Sequence, residues 1–320
     1  MSYAPFLQRI QKGLSVVELV HTSHPRWPLP PQRSPFTAPT LQISVLDSSF
    51  NPPTLAHLAL ANTLPPPSSD VPPSSPSAPC DFDARLLLLS VRNADKQLKP
   101  GDATYEQRIA MMVLLAHDLA RSHARNVDTA LQNYPESTPH EPNVAVAIID
   151  EPTFVGKSAI LREFLAKRIS ELEGLNVGAE TTASPSVVPP VPKLTFLMGT
   201  DTVVRLCAPR YYANEENMMA ALRRFLSPDE DDSRIVCARR VSRGVPRVEE
   251  EKVEVEMTEF ASRIVPFRKL HFVDIGEEEC TFSSSEVREL RTREDGGWRK
   301  MVTTDVAQYI LTNRLYSSSP

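Results

Sequence analysis

The chain has 320 residues, 41% of them hydrophobic and 23% charged, with a formal net charge of −5, an ordinary profile for a globular protein. The acidic balance removes any general pull toward nucleic acid, and no run of about 20 apolar residues marks a membrane span. Cys80, Cys207, Cys237 and Cys280 are scattered without a CxxC pair, which argues against a disulfide framework or a zinc site and fits a reducing compartment, cytoplasmic and/or nuclear.

In chain order, residues 6–19 read as an amphipathic helix carrying Arg9 and Lys12. A mitochondrial presequence would be richer in Arg and Ser, so a packing helix or a tail is expected, followed by a Pro-rich stretch over 25–39. Residues 43–47 are strand-like. Ser48, Ser49, Asn51, Pro52 and Pro53 break that strand. Thr54 is a good N-cap, and Leu55, Leu58 and Leu60 start a helical pattern over 54–64. Strands are then expected at 85–91, 144–149, 193–198, 234–238 and 269–275. Helices are expected at 104–121, 157–172, 214–225, 284–291 and 302–315. This alternation predicts a doubly wound, Rossmann-like parallel sheet with helices on both faces. Residues 65–79 and 178–192 are Pro/Ser-rich and unsuited to a packed core; with the acidic stretch 248–259 they are expected as loop insertions. The expected organisation is an N-terminal helix and Pro-rich extension over 1–40, then one domain over 41–316.

The turn after the first strand carries the chemistry. His57 falls in the first turn of its helix, where open backbone N–H groups and the helix dipole favour an anion. A histidine there can donate to a phosphate as charge develops on it. The backbone N–H groups after Ser49, through Phe50 and Asn51, can approach such an anion, and Thr54 can serve as cap and phosphate ligand. The plainer reading of Asn51 is a side chain that braces its own loop. A second cluster, Ser283, Ser284, Ser285 and Arg288, opens a helix. Serines there are usually caps, yet three of them ahead of an arginine also make an anion cradle, since the guanidinium supplies planar, charge-assisted donors. Lys96 and Lys99 lie in the loop after the second strand, with Lys96 favoured as a phosphate contact. Asp47, at the end of the first strand, could orient a metal-bound water.

Other signals are weaker. Val155-Gly156-Lys157-Ser158 invites a P-loop assignment, but that motif needs glycine at 151, where Glu151 stands, and Pro152 and Phe154 would crowd the phosphate nest. No GxG occurs among the ten glycines, so a dinucleotide fingerprint is absent. His21 and His24 lack further ligands for a metal.

Together these residues resemble a known family. Ser49-Phe50-Asn51-Pro52-Pro53-Thr54-Leu55-Ala56-His57 is similar to the (H/T)xxH motif of the nucleotidylyltransferase superfamily, in the SFNPxTxxH form of the nicotinamide mononucleotide adenylyltransferases. Phe282-Ser283-Ser284-Ser285-Glu286-Val287-Arg288 resembles that family's ISSTxxR. Residues 301–316 resemble its C-terminal helix, which ends in Leu-Tyr as Leu315-Tyr316 does here. Phe196-Leu197-Met198-Gly199-Thr200-Asp201 resembles its strand ending in GxD. The pattern looks like a divergent, fungal-like branch: Ser48 stands where the family has glycine, and Ser285 where it has threonine. The resemblance implies a transferase that joins AMP from ATP to nicotinamide mononucleotide, giving NAD and pyrophosphate, with Mg²⁺ held mainly on the ATP phosphates. Another nucleotidylyltransferase, using pantetheine phosphate or a cytidylyl donor, or a non-catalytic nucleotide-binding protein, are the alternatives. It implies His57 and Arg288 as the catalytic pair, and Ser49, Phe50, Asn51, Thr54, Lys96, Gly199, Asp201 and Ser283 to Ser285 with them around ATP. The acceptor would meet Phe154, Tyr212 and Arg240, the last with Arg239 as an equal neighbour. Neither nucleic acid nor membrane is an expected partner, and a homo-oligomer is left open.

Overall fold

In the computed structural model the described residues are 2–31, 39–66, 81–92, 99–133, 143–174, 189–240, 247–265 and 269–317. Lys96 and most of the two Pro/Ser-rich stretches lie outside them. The secondary structure runs α1 (Ala4–Gln11), β1 (Val17–Thr22), β2 (Thr40–Asp47), α2 (Leu55–Ala61), β3 (Ala84–Ser90), α3 (Tyr105–Asn133) and β4 (Val144–Ile149). It continues with α4 (Phe154–Gly174), β5 (Val191–Gly199), α5 (Thr200–Leu206), α6 (Glu215–Leu226), β6 (Arg234–Ala238), α7 (Arg247–Ile264), β7 (Leu270–Val273), α8 (Ser284–Thr292) and α9 (Thr304–Thr312).

The strands form one sheet in the order β1-β4-β3-β2-β5-β6-β7. All neighbours from β4 to β7 are parallel, and β1 alone is antiparallel, on β4. Without β1 the order is the doubly wound one, and it reverses direction between β2 and β5. The chemistry of such a sheet gathers at the C-terminal strand ends beside that reversal. β3 and β4 are buried almost throughout, as strands covered on both faces must be. One face packs on α4, α6 and α7 through Leu161, Leu165, Ile169, Leu222 and Phe225. The other packs on α1, α2 and α3 through Ile10, Leu60, Ile109 and Met112. A third apolar cluster joins α8, α9 and the outer side of α3 around Trp298, Val306 and Ile310.

Three expectations are corrected. Residues 1–40 are no separate extension: β1 extends the sheet, and Trp27 and Leu29 are fully buried in its core. An edge strand reading Val-Glu-Leu-Val-His-Thr has no clean alternation, so only its partner β4 reveals it. The first helix stops at Gln11, because Gly13 takes a left-handed φ of +66° just beyond it, as helix ends favour. Residues 248–259 are helical, within α7: Met257, Phe260, Ala261 and Ile264 face the core while the acidic residues stay outside. That i, i+3, i+4, i+7 spacing is present in the sequence, but the run of glutamates masks it.

Candidate active site at the switch point

β2 ends at Asp47, and the chain turns through Ser48 to Pro53 before Thr54 caps α2. Phe50 has a φ of +44°, in the left-handed region, and its side chain is fully buried in the core beneath. The burial anchors the turn, so Phe50 offers a nucleotide its backbone only, not its ring. A left-handed residue inside a turn swings successive N–H groups toward one point, which suits an anion.

The turn's carbonyls are tied back into the protein. Arg108 donates to the Ser49 carbonyl at 3.4 Å, Arg288 to the Asn51 carbonyl and the Ser284 hydroxyl to the Pro52 carbonyl at 2.7 Å. The N–H groups of Ser49, Phe50 and Asn51 bond to no described residue. Three of the turn's carbonyls are thus tied back, while the N–H groups of Ser49, Phe50 and Asn51 stay open among the described residues.

Asn51 is 4% exposed and its amide is committed. It donates to Asp102 at 2.7 Å and accepts from the Ala103 N–H at 3.2 Å and the Tyr316 hydroxyl at 2.8 Å. The side chain therefore braces the loop, and a direct phosphate contact through it is not supported. Burial pushes the Asp102 carboxyl up, but the Lys99 N–H, the Asn51 amide, Arg108 and Arg288 outweigh it and hold it below the usual range.

His57 is the third residue of α2. Its Nδ1 accepts from the Thr54 N–H at 3.0 Å and lies 2.8 Å from the Thr54 hydroxyl. This is a capping box with histidine where Glu or Gln usually stands. Because Nδ1 accepts, the ring proton sits on Nε2, and Nε2 is 2.9 Å from the Ser48 hydroxyl. Burial, reinforced by the Arg240 charge, lowers the imidazole pKa to about 4. The free site thus holds a neutral ring whose single N–H faces the Ser48 hydroxyl. Thr54 is fully buried, and its N–H and hydroxyl both lie on His57 Nδ1, which sets this tautomer.

α8 brings the second cluster to the same place. Ser283 caps it by accepting from the Glu286 N–H at 3.1 Å, a bond that leaves its O–H available to donate. Ser284 holds Pro52, while Ser285 is exposed and accepts from Arg288 at 3.2 Å. Arg288 and Asn51 are 237 residues apart in sequence. Arg240 donates to the Phe282 carbonyl at 2.9 Å. It crosses Gly199 so closely that a Cβ there would lie 3.3 Å from its Cδ and 3.0 Å from Asp201 Oδ1. Arg239, by contrast, makes a bidentate pair with Glu254 on α7, both bonds 2.7 Å, and also meets Asp274. Arg240 thus lies beside Gly199 and Phe282, while Arg239 is taken up by Glu254 and Asp274. Asp201 opens α5, is exposed and pairs with Arg205 at 3.0 Å.

Of the aromatic pair, Phe154 starts α4 and meets Phe196 of β5 edge-on at 5.8 Å. Tyr212 follows α5, packs against the core and donates its hydroxyl to the Leu206 carbonyl at 2.9 Å. Sequence reasoning leaves out Ser48, Asp102 and Tyr316 as bracing groups. Tyr316 lies in the C-terminal Leu-Tyr motif, whereas nothing local marks Asp102. Asp47 is buried against Lys157, which removes the expected role in orienting a metal-bound water. Among the described residues no three His, Cys, Asp or Glu side chains converge on a metal site, and no helix is long and apolar enough to cross a membrane.

No family model matches the sequence. The chain is 28% identical over 195 residues to a Schizosaccharomyces pombe protein named "Putative nicotinamide mononucleotide adenylyltransferase", an alignment covering 61% of this chain and 52% of that protein. The chain thus spans about half the length of the relative it matches. Two Plasmodium falciparum nicotinic acid mononucleotide adenylyltransferase structures, complexed with APC and with NaAD, each cover 86% of this chain and 97% of their own. They are 11% and 13% identical, with TM-scores of 0.40 and 0.41, too loose a likeness to carry chemistry from them.

Proposed function

We propose that this protein is a nucleotidyltransferase that moves AMP from ATP to nicotinamide mononucleotide, giving NAD and pyrophosphate. The observation that carries the reading is the joining of the two anion-binding segments. Ser284 and Arg288 hold the Pro52 and Asn51 carbonyls, so the open N–H groups of one turn, the His57 Nε2–H and the N-terminus of α8 share one neighbourhood. The sequence likeness to the fission yeast protein supports the same reading. The pantetheine-phosphate and cytidylyl alternatives have no specific observation in their favour.

The reaction needs no protein nucleophile. The acceptor's 5′-phosphate attacks the α-phosphorus of ATP, one P–O bond forms and the bond to the pyrophosphate oxygen breaks. The protein aligns two anions and stabilises charge on the transferring group. The turn's N–H groups and His57 would hold the transferring phosphate, and Arg288 with Ser285 the leaving pyrophosphate end. A neutral imidazole is well suited to that contact. It donates Nε2–H, burial and then the Arg240 charge keep it from gaining a second proton, and it trades Ser48 for phosphate oxygen. Mg²⁺ would arrive on the ATP phosphates and keep most of its ligands as water. Arg240, Phe154 and Tyr212 would meet the acceptor, an aromatic face receiving its cationic pyridinium ring.

The test is purified protein with ATP, Mg²⁺ and a panel of acceptors: nicotinamide mononucleotide, nicotinic acid mononucleotide, phosphopantetheine. Product mass and pyrophosphate release are the readouts. Stoichiometric dinucleotide from a pyridine mononucleotide is expected, and pyrophosphate only with phosphopantetheine would overturn the acceptor assignment.

A further inference from the structure

One charged pair has no place in that chemistry. Asp47, the last residue of β2, and Lys157, in the first turn of α4, are 7% and 4% exposed at their side chains and bonded to each other. Burying two charges costs several kcal/mol of hydration each, and a well-packed apolar pair is often as stable or more so. Stability alone is therefore a poor reason for this pair, and its placement supplies a better one.

α4 leaves the sheet after β4, yet Lys157 reaches β2, two strands along in the sheet order. The first turn of α4, which connects β4 to β5, thus lies at the strand ends beside the reversal between β2 and β5. The ammonium sits 4.9 Å from the centre of the Phe154 ring, and the same ring meets Phe196 of β5 edge-on. Asp47 is bonded through the chain to Ser48, the partner of His57 Nε2. A continuous line thus runs from the phosphate donor through Ser48, Asp47 and Lys157 to Phe154.

We infer that Asp47 and Lys157 are positioning residues that fix the Phe154 ring, and with it the pyridine end of the acceptor, relative to the phosphate-binding turn. The inference rests on the reading of the site as an ATP:pyridine-mononucleotide transferase. The pair is salt-bridged and neutral as a unit, so it can hold a ring beside a cationic pyridinium without adding net charge to the pocket. Lys157 thereby has a role unlike the phosphate-binding lysine of a P-loop.

Steady-state kinetics of Lys157→Met and of the double variant Asp47→Asn/Lys157→Met decide it. The single variant leaves a carboxylate buried alone; the double variant removes both charges and guards against a mere folding defect. Both are expected to raise KM for the pyridine mononucleotide about tenfold while leaving KM for ATP within about twofold. Calorimetric titration of the mononucleotide alone should show the same loss. Unchanged acceptor KM and affinity in a folded double variant would overturn the inference, as would a parallel rise in both KM values. A wild-type protein that binds and converts no pyridine mononucleotide would overturn the functional reading, and this inference with it.

Discussion

The two halves of the site are built by opposite means. The turn at 48–54 is held by hydrogen bonds from Arg108, Ala103, Ser284, Arg288 and Tyr316 and by one from the Asn51 amide to Asp102. Its binding groups are mostly main chain, and its side chains are spent on geometry. The half proposed for the acceptor has two aromatic rings packed against the core, Phe154 and Tyr212, with the Tyr212 hydroxyl on the Leu206 carbonyl and the Asp47–Lys157 pair beside Phe154. A phosphate needs donors held in fixed directions, which only satisfied polar ties provide. A flat ring needs a surface, which packing alone supplies. Damage to the first half should therefore cost turnover or folding, and damage to the second should cost acceptor affinity.

The largest expected effect is at His57. His57→Ala removes the imidazole donor beside the turn and should lower kcat by about two to three orders of magnitude. Its loss also opens the capping box, so a stability cost of about 1 kcal/mol accompanies it. Rapid-quench measurement of the chemical step checks this; a variant with near-normal turnover would remove His57 from the mechanism.

Arg288→Ala comes next. A charge-assisted contact worth about 1.5–3 kcal/mol is lost, so ATP affinity should fall roughly ten- to hundred-fold. Acceptor affinity should change far less, which direct titration of each substrate would show. If the acceptor weakens more than ATP, the assignment of the two halves is reversed.

Asn51→Ala sharpens the contrast in stability rather than in binding. It leaves Asp102, the Ala103 N–H and the Tyr316 hydroxyl without their partner, at a cost of about 3 kcal/mol in denaturant unfolding. A loss below about 1 kcal/mol would mean that the amide does not brace the turn. Tyr212→Ala should be milder: KM for the acceptor rises by about three- to tenfold, as for one cation–π contact, and ATP binding holds.

The last expected effect is a pH signature. The His57 pKa is lowered to about 4, against about 6.5 in an unfolded chain. Between those values the unfolded state carries the extra proton. Stability from this group is therefore complete above about pH 6.5 and is lost as pH falls toward 4. An NMR titration of the His57 ring should show a neutral, Nε2-protonated imidazole at pH 6; a ring charged at pH 6 would contradict the tautomer argument.

Much of this protein was determined by the sequence alone. The parallel strands and their helices were legible because buried strands and amphipathic helices are local patterns, set by a few consecutive side chains. The positions of His57 and Arg288 were legible for the same reason, since caps and helix starts are local. Other features depended on partners far along the chain. β1 is a strand because β4 offers it an edge. Residues 248–259 belong to a helix because the opposite face of the sheet needs covering. The sequence leaves Asn51 open between brace and ligand; only Asp102 and Tyr316, 51 and 265 residues away, show its amide taken up. Arg240 faces the site because Glu254 claims Arg239. A polar side chain has only a few hydrogen bonds to give, and which groups receive them is settled by proximity in space, which no local spacing encodes.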